Sequence, residues 1–490
     1  MQYKWLILSV TTIGVLMAGL DARIVIIGLP EVVQALGADA EQGIWINQAY
    51  LLGSVAILLL VGHFADNFGK KRVYTSGFVI FTIGSALTSL AIDPIQVILF
   101  RIIQGIGSGI ILTSSVALIV DATPLDELGF SLGVNNLGFR FGAMAGLTVS
   151  GLILSLIGDW RALFYLNVPI GVFGTIWSQI TIKETLKTEK KANENKLACI
   201  DWFGFLTFTL FIVSLLLALT FAAYGMGSQL LTLEFTIISV VSLAAFIAQE
   251  LRCQNPLLDL KILKIREYTG GIIAQLINAV SWGAVLLLLS FYFQLVLGLN
   301  PLDAGIRIIP FDISFLVFGP LSGKLSDRFG HLPFTTTGIV LASLSLFLFS
   351  TVETTTPSLA IAVYMMLFGA AIGIFASPNM SSIMGAIPAE RRGIGSALRA
   401  TFFNVGFAVS LNLAILIISL TIPYALVTQI VAGYTTPLFA DRELFLQSLK
   451  TTYLWLAALN IVAVVPSVLR GKGPEHTKQD EGALDITAET

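Results

Sequence analysis

Four arginines stand where arginine is costly. Arg23, Arg101, Arg140 and Arg307 lie inside long apolar runs, and so do Asp21 and Asp312. At the centre of a bilayer-spanning helix each such charge costs about 2.5–3.5 kcal/mol on insertion scales, so it is retained for a pair, a polar path or a proton. The stretch LDARIVIIGLP (20–30) holds two of them, of opposite sign and two residues apart. Asp21 lies about nine residues from Pro30, and Arg101 about seven from the outer end of its run. At 1.5 Å per residue both sit roughly 10–13 Å in from the same side. An aspartate that is paired in one conformation and bare in another changes its proton affinity between them. That is the minimum for coupling a proton to a conformational cycle; a static ion pair that holds the fold is the alternative. Gln104, one turn from Arg101, either shares this network or makes an ordinary interhelical hydrogen bond.

The elements that must position these groups are membrane spans. Of 490 residues 56% are hydrophobic and only 12% charged, against roughly 25% charged in soluble domains. Mean hydropathy is +0.86. Apolar runs separated by charged or Pro/Gly-marked breaks give fourteen candidate spans, near 5–29, 45–61, 73–92, 95–119, 130–156, 162–181, 200–222, 232–250, 268–298, 302–322, 333–351, 357–379, 395–420 and 449–469. The first is expected to be retained rather than cleaved, because it runs on past Asp21 with no small-x-small site. Of the 28 Lys and Arg residues, 21 fall in the termini and the loops on their side, and 3 in loops on the other. The positive-inside bias therefore predicts a multi-pass protein of the cytoplasmic membrane with both termini cytoplasmic.

Other function classes find no footing. A net charge of −2 gives no basic footprint for nucleic acid. Cys199 and Cys253 are far apart, and His63, His331 and His476 show no metal spacing, so neither a disulfide framework nor a metal site is expected. No catalytic triad or selectivity-filter repeat is present, which disfavours an enzyme or a channel. GIGSG (105–109) follows no strand, so it reads as close helix packing at Gly105 and Gly109 rather than a nucleotide loop.

The chain repeats itself. GHFADNFGKK (62–71) matches GKLSDRFGHL (323–332) at an offset of 261, and PLDELG (124–129) matches PAERRG (388–393) at 264. Two related elements at nearly one offset predict two homologous halves of about six spans, with a substrate site between them. The expected organisation is a six-helix bundle over 1–182, a cytoplasmic linker and inserted hairpin over 183–267 (the hairpin at about 200–250), a second six-helix bundle over 268–470, and a disordered cytoplasmic tail over 471–490. The fold class is all-α membrane protein.

At GHFADNFGKKR the chain resembles the major facilitator superfamily, whose signature between spans two and three reads G-x-x-x-D-x-x-G-(R/K)-(R/K). LDARIVIIGLP, LFRIIQGIGSGI (99–110), DWRALFYLNVPIG (159–171) and FYFQLVLGLNPLDAGIRIIP (291–310) further resemble motifs of its fourteen-span drug:proton antiporter branch, in order and spacing. The resemblance covers essentially the whole chain. It implies the major facilitator fold with fourteen transmembrane helices, a coupling role for Asp21 and Arg101, and a loop that latches the two halves in one state. That gating set is Gly62, Asp66, Gly69, Lys70, Lys71 and Arg72, repeated at Gly323, Asp327, Arg328 and Gly330; orienting the protein at the anionic leaflet is the loop's plainer role.

Gly138, Gly142 and Gly146 recur every four residues along span five and predict a smooth face for another helix. Here the chain departs from the branch: its G-P-x-x-G-G signature reads GLTVSG (146–151), without the proline. In the first span Arg23 replaces the family's threonine and Ile26 its asparagine. Asp21 with Arg23, Arg101 and Arg140 gives the first half a formal surplus of +2, which favours an acidic substrate because an unpaired buried cation is costly. Arg23 either faces this cavity or snorkels to the interface. The remaining cavity candidates are Asn136, Gln275, Asn278, Trp282, Tyr292, Gln294, Arg307 and Asp312, with Arg307 and Asp312 expected to pair along their own helix. The expected function is proton-coupled export of amphipathic small molecules by alternating access, of the multidrug-efflux type. The alternative is a proton- or ion-coupled transporter, symporters included, of an organic anion or acidic lipid. No cofactor is expected, the proton gradient supplying the energy; the partners are a small-molecule substrate and the lipid bilayer, and the working unit is a monomer.

Overall fold

The computed structural model describes residues 3–124, 128–183, 201–223, 229–253, 256–258, 260–387, 392–423 and 439–471. Among them every regular element is helical. In chain order they are α1 (Tyr3–Leu36), α2 (Ala40–Phe68), α3 (Lys70–Ser89), α4 (Pro94–Ala122), α5 (Leu128–Ile157), α6 (Arg161–Tyr165), α7 (Asn167–Thr181), α8 (Trp202–Ala223), α9 (Gln229–Arg252), α10 (Arg266–Trp282), α11 (Val285–Phe291), α12 (Pro301–Phe329), α13 (His331–Phe349), α14 (Ser358–Gly385), α15 (Arg392–Thr421), α16 (Phe439–Val462) and α17 (Val464–Leu469). A π-helical turn, Tyr292–Val296, follows α11.

Local chemistry sets several of these boundaries. Asp39 and Gln42 form a reciprocal capping box at the start of α2, and Asp93 caps α4 just before Pro94, the pairing of cap and N-terminal proline that helix starts favour. Gly69 and Gly330, the repeated glycines of the two matching loops, have φ of 93° and 83°. A side chain at either would be strained, so each glycine permits the abrupt turn between two long helices. The first span does not end near Pro30 as its sequence implied: α1 continues through Pro30 to Leu36.

Twelve helices among the described residues are long and apolar enough to cross a membrane. The set includes α8 and α9. It does not include α3, whose first turn is Lys70, Lys71 and Arg72, and from α2 it records only the shorter apolar stretch Trp45–Leu58. The tail after Gly471 and the linker over 184–200 lie outside the described residues.

Packing repeats with the sequence. In a first group α1 lies on α5, α2 on α4, and α3 on α4 and α7; in a second, α10 lies on α15, α12 on α14, and α13 on α14 and α16. The groups meet along α5 with α12 and along α2 with α15. Helices α8 and α9 run antiparallel, as Phe221 on Phe235 and Phe208 on Phe246 require, and α8 packs against both α2 and α15.

Both described termini lie at one end of the bundle, where Tyr3 meets Lys183 and Arg470 meets Thr335 and Asn379. At the opposite end one apolar cluster joins the groups. It contains Leu29 and Val33 of α1, Trp160 and Leu163, and from the second group Leu289, Phe293, Val352 and Phe445. At the terminal end the buried residues divide: Tyr74, Phe78 and Ile111 belong to one cluster, Ala274, Ile339 and Phe375 to another. Only the cluster built on the hairpin, with Val55 of α2, Phe208 and Ile212 of α8 and Leu398 of α15, spans both groups there among the described residues. The halves are thus sealed at one end and held at the other along a single seam.

Candidate functional site

Asp21 is fully buried in α1 and bonded on both oxygens. Its Oδ2 lies 2.6 Å from Arg101 Nη1. Its Oδ1 accepts from Gln104 Nε2 at 2.8 Å and Asn167 Nδ2 at 2.7 Å. Arg101 also donates to Gln104 Oε1 and lies over the Tyr50 ring at 4.4 Å. Three spans therefore converge on one carboxylate. The sequence placed Asp21 and Arg101 at matching depth with Gln104 one turn away, and the structure brings the three together. It adds Asn167, the first residue of α7, whose signal in the sequence is an amide inside an apolar run. Two atoms remain unsatisfied: Arg101 Nη2 and Asn167 Oδ1 are buried without a protein partner. An ion pair sealed this way is tolerated in hydrocarbon only because nearly every remaining donor and acceptor is met.

The close approach needs small residues. A side chain at Gly105 would put its Cβ 2.1 Å from Tyr50 O, and one at Gly142 would put it 2.0 Å from Leu16 O. Gly109 packs against Ser54, and Gly138 and Gly146 against Thr12 and Leu20. These glycines let α4 and α5 lie against α2 and α1 at backbone distance.

Arg23 resolves in one direction. It turns inward, and its Nη1 lies 2.9 Å from both carboxylate oxygens of Asp312 in α12. Both residues are buried, at 7% and 1% exposure. The expected pairing of Arg307 with Asp312 does not form. Five residues apart on a helix they point in different directions, since neighbours on one face recur at three or four, and Arg307 donates instead to Ser358 Oγ at the start of α14.

Arg140 stands beside this bridge, within electrostatic range of Arg23 and Asp312. Among the described residues it makes no hydrogen bond or ion pair. Its guanidinium lies 3.8 Å from the Phe315 ring centre and 5.9 Å from that of Trp282. Trp282 ends α10, where the span breaks at Gly283 and the backbone N–H of Ala284 donates to Ser410 Oγ. Its ring contacts Phe311, Phe403 and Phe407. A cationic face of the first group thus opposes an aromatic face of the second. Asp21 and Arg101 cancel, as do Arg23 and Asp312, so the surplus expected at +2 falls to the single charge of Arg140.

The other candidates disperse. Asn278 pairs with Asn460 inside the second group; Gln275 is buried in the same helix. Tyr292 donates to Glu353 O near the sealed end and Gln294 to Ser290 Oγ. Asn136 is exposed on α5, one turn from Arg140 toward the terminal end. At the start of α3, Lys70 pairs with Asp121 of its own group. Gly323 packs near Ser377. Arg328 is exposed and Lys71 partly so, and Arg72 is engaged. The side-chain surroundings of Gly62, Asp66 and Asp327 lie outside the described residues. One contact between groups had no place in the sequence reading: Gln48 Nε2 donates to Ala408 O and Asn412 Oδ1, while Asn412 Nδ2 donates to Leu216 O of α8.

A bundle of apolar helices in two repeated groups, with one ion pair buried inside the first group and another across the line between the groups, has the make-up of a membrane transporter. The chain belongs to the Major Facilitator Superfamily, whose profile it matches over residues 11–411. It is 30% identical over 410 residues to the riboflavin transporter RibZ of Clostridioides difficile (strain 630), covering 84% of this chain and 87% of that protein. It is 28% identical over 411 residues to the multidrug resistance protein Stp of Mycobacterium tuberculosis (strain ATCC 25618 / H37Rv), covering 82% of this chain and 74% of that protein. Its fold resembles the human organic anion transporter MFSD10 (TETRAN), with a TM-score of 0.64 at 13% identity over 96% of this chain and 99% of that one. The protein is therefore a multi-pass membrane transporter of this superfamily.

Proposed function

We propose that the protein exports amphipathic small molecules across the cytoplasmic membrane by alternating access, driven by the proton gradient, with both termini cytoplasmic. The observation that carries this reading is the Asp21 network. A carboxylate at 0% exposure, bonded to Arg101, Gln104 and Asn167, has no route for a proton in this conformation. A rearrangement that parts α1 from α4 strips those bonds and raises its proton affinity. Binding a proton then differs in free energy between the two states, which is what coupling requires. The multidrug resistance relative supports efflux.

In this reading α2 and α3 also cross the bilayer, making fourteen spans as in the drug:proton antiporter branch, with α8 and α9 inserted between two six-helix halves. The halves rock about the sealed end, and the end that carries the termini is the one that opens and closes at the cytoplasmic face. The loops around Gly69 and Gly330 act at that face, and a monomer suffices because the site lies between its own halves.

Reconstitution into proteoliposomes with an internal pH dye tests the proposal. An amphipathic dye added to vesicles bearing an imposed pH gradient should accumulate and discharge the gradient, and Asp21→Asn should retain exchange of dye without proton movement. Accumulation undiminished in Asp21→Asn would refute the assignment.

A further inference from the structure

We propose that Arg140 is the anion subsite of the substrate-binding site, and that the molecule it takes is a planar aromatic carboxylate. The inference rests on the transport reading above and narrows its substrate class.

Three features converge. Arg140 is the guanidinium of this region left without an anion. Arg101 has Asp21 and Arg23 has Asp312, and among the described residues no carboxylate is in hydrogen-bond or ion-pair contact with Arg140, Asp312 lying only within electrostatic range. A cation in this position is costly unless an incoming group meets it.

The Phe315 ring centre lies 3.8 Å from the Arg140 guanidinium carbon, a cation–π contact that leaves the N–H edge without an acceptor among the described residues. Two parallel N–H groups on such an edge match the two oxygens of a carboxylate.

The surface beyond the edge is aromatic. Phe315, Phe403 and Phe407 are partly exposed and Trp282 is buried among Phe311, Phe403 and Phe407. Rings on that wall accept a planar body in offset or edge-on contact. The other residue nearby on α5, Asn136, is neutral and exposed. The pair beside the site, Arg23 with Asp312, is internally balanced. A cationic substrate would therefore meet an uncompensated like charge, whereas an aromatic acid meets one charge and several rings.

Equilibrium dialysis of the detergent-solubilised full-length protein tests this, with 9-anthracenecarboxylate as the probe and 9-anthracenemethanol and 9-anthracenemethylammonium as neutral and cationic controls. The acid should bind saturably and each control more weakly by about tenfold or more. Arg140→Gln should weaken the acid by a similar factor and leave the alcohol unchanged, with Arg140→Lys between. Equal binding of acid and alcohol, or unaltered acid binding by Arg140→Gln, would overturn the proposal. The comparison of acid with alcohol on the unaltered protein stands whether or not a variant folds. Proton flux is read separately in proteoliposomes: acid binding that depends on Arg140 but moves no protons upholds this site and refutes the coupling reading instead.

Discussion

Arg23 of α1 and Asp312 of α12, separated by 289 residues in the chain, form a buried ion pair across the two helix groups, with one arginine nitrogen 2.9 Å from both carboxylate oxygens. The pair lies between the sealed end and the cation–aromatic face, so it reports whether the groups are together. Rocking one group against the other must break it or carry it along.

Arg23→Gln leaves Asp312 buried and unpaired. It is expected to destabilise the detergent-solubilised protein by about 3–5 kcal/mol, the usual effect of removing one partner of a buried pair. Replacing both, Arg23→Leu with Asp312→Leu, should recover most of that loss. Thermal unfolding of Arg23→Leu, Asp312→Leu and the double variant decides it: a double variant as unstable as the sum of the two single ones means the two residues do not interact.

The Asp21 network makes a different prediction. Arg101→Ala strands a carboxylate that has neutral donors but no cation, so it should lower stability more than Asn167→Ala, which removes one hydrogen bond of three to Asp21. The second change is worth roughly 1–3 kcal/mol for a bond to a charged group. Melting temperatures that rank the two in the reverse order would show that Arg101 is held by its aromatic neighbours rather than by Asp21.

Glycine substitutions test the helix packing with a built-in control. Gly142→Ala drives a methyl into Leu16 O, and overpacking of that kind costs about 1–3 kcal/mol. Gly133 lies on the same helix with nothing within 4 Å, so Gly133→Ala should be neutral or stabilising by up to about 1 kcal/mol. Equal effects on thermal unfolding would remove the case for a close α1–α5 contact.

The hairpin is tied to both groups through Asn412. Asn412→Ala removes one of the two acceptors of Gln48 and the donor to Leu216 O, and should lower stability by about 1–3 kcal/mol. A double-mutant cycle with Gln48→Ala should give a coupling of about 0.5 kcal/mol or more, as expected of residues in contact. Zero coupling would mean the two side chains do not share a bond.

Much of this was legible from residues alone. Apolar runs and internal charges located the helices, because helix periodicity and span length are local properties of the chain. The glycine spacing on α4 and α5 marked faces for close packing, and matched depth along two spans paired Asp21 with Arg101. Depth can be counted from a helix end, so that pairing needed no tertiary coordinates.

Rotation and partner choice are not local. Whether Arg23 pointed to lipid or inward depended on how α1 turns against α12, and sequence offered Arg307 as the mate of Asp312 because it was near in the chain. The assembled bundle decided otherwise: it set Arg23 against Asp312, brought Asn167 to Asp21, and left Arg140 facing aromatic rings contributed by α10, α12 and α15. Sequence alone determined which charges stand inside the apolar runs. Only the packing of helices from distant parts of the chain, which fixes the direction and reach of each side chain, decided which of them are paired.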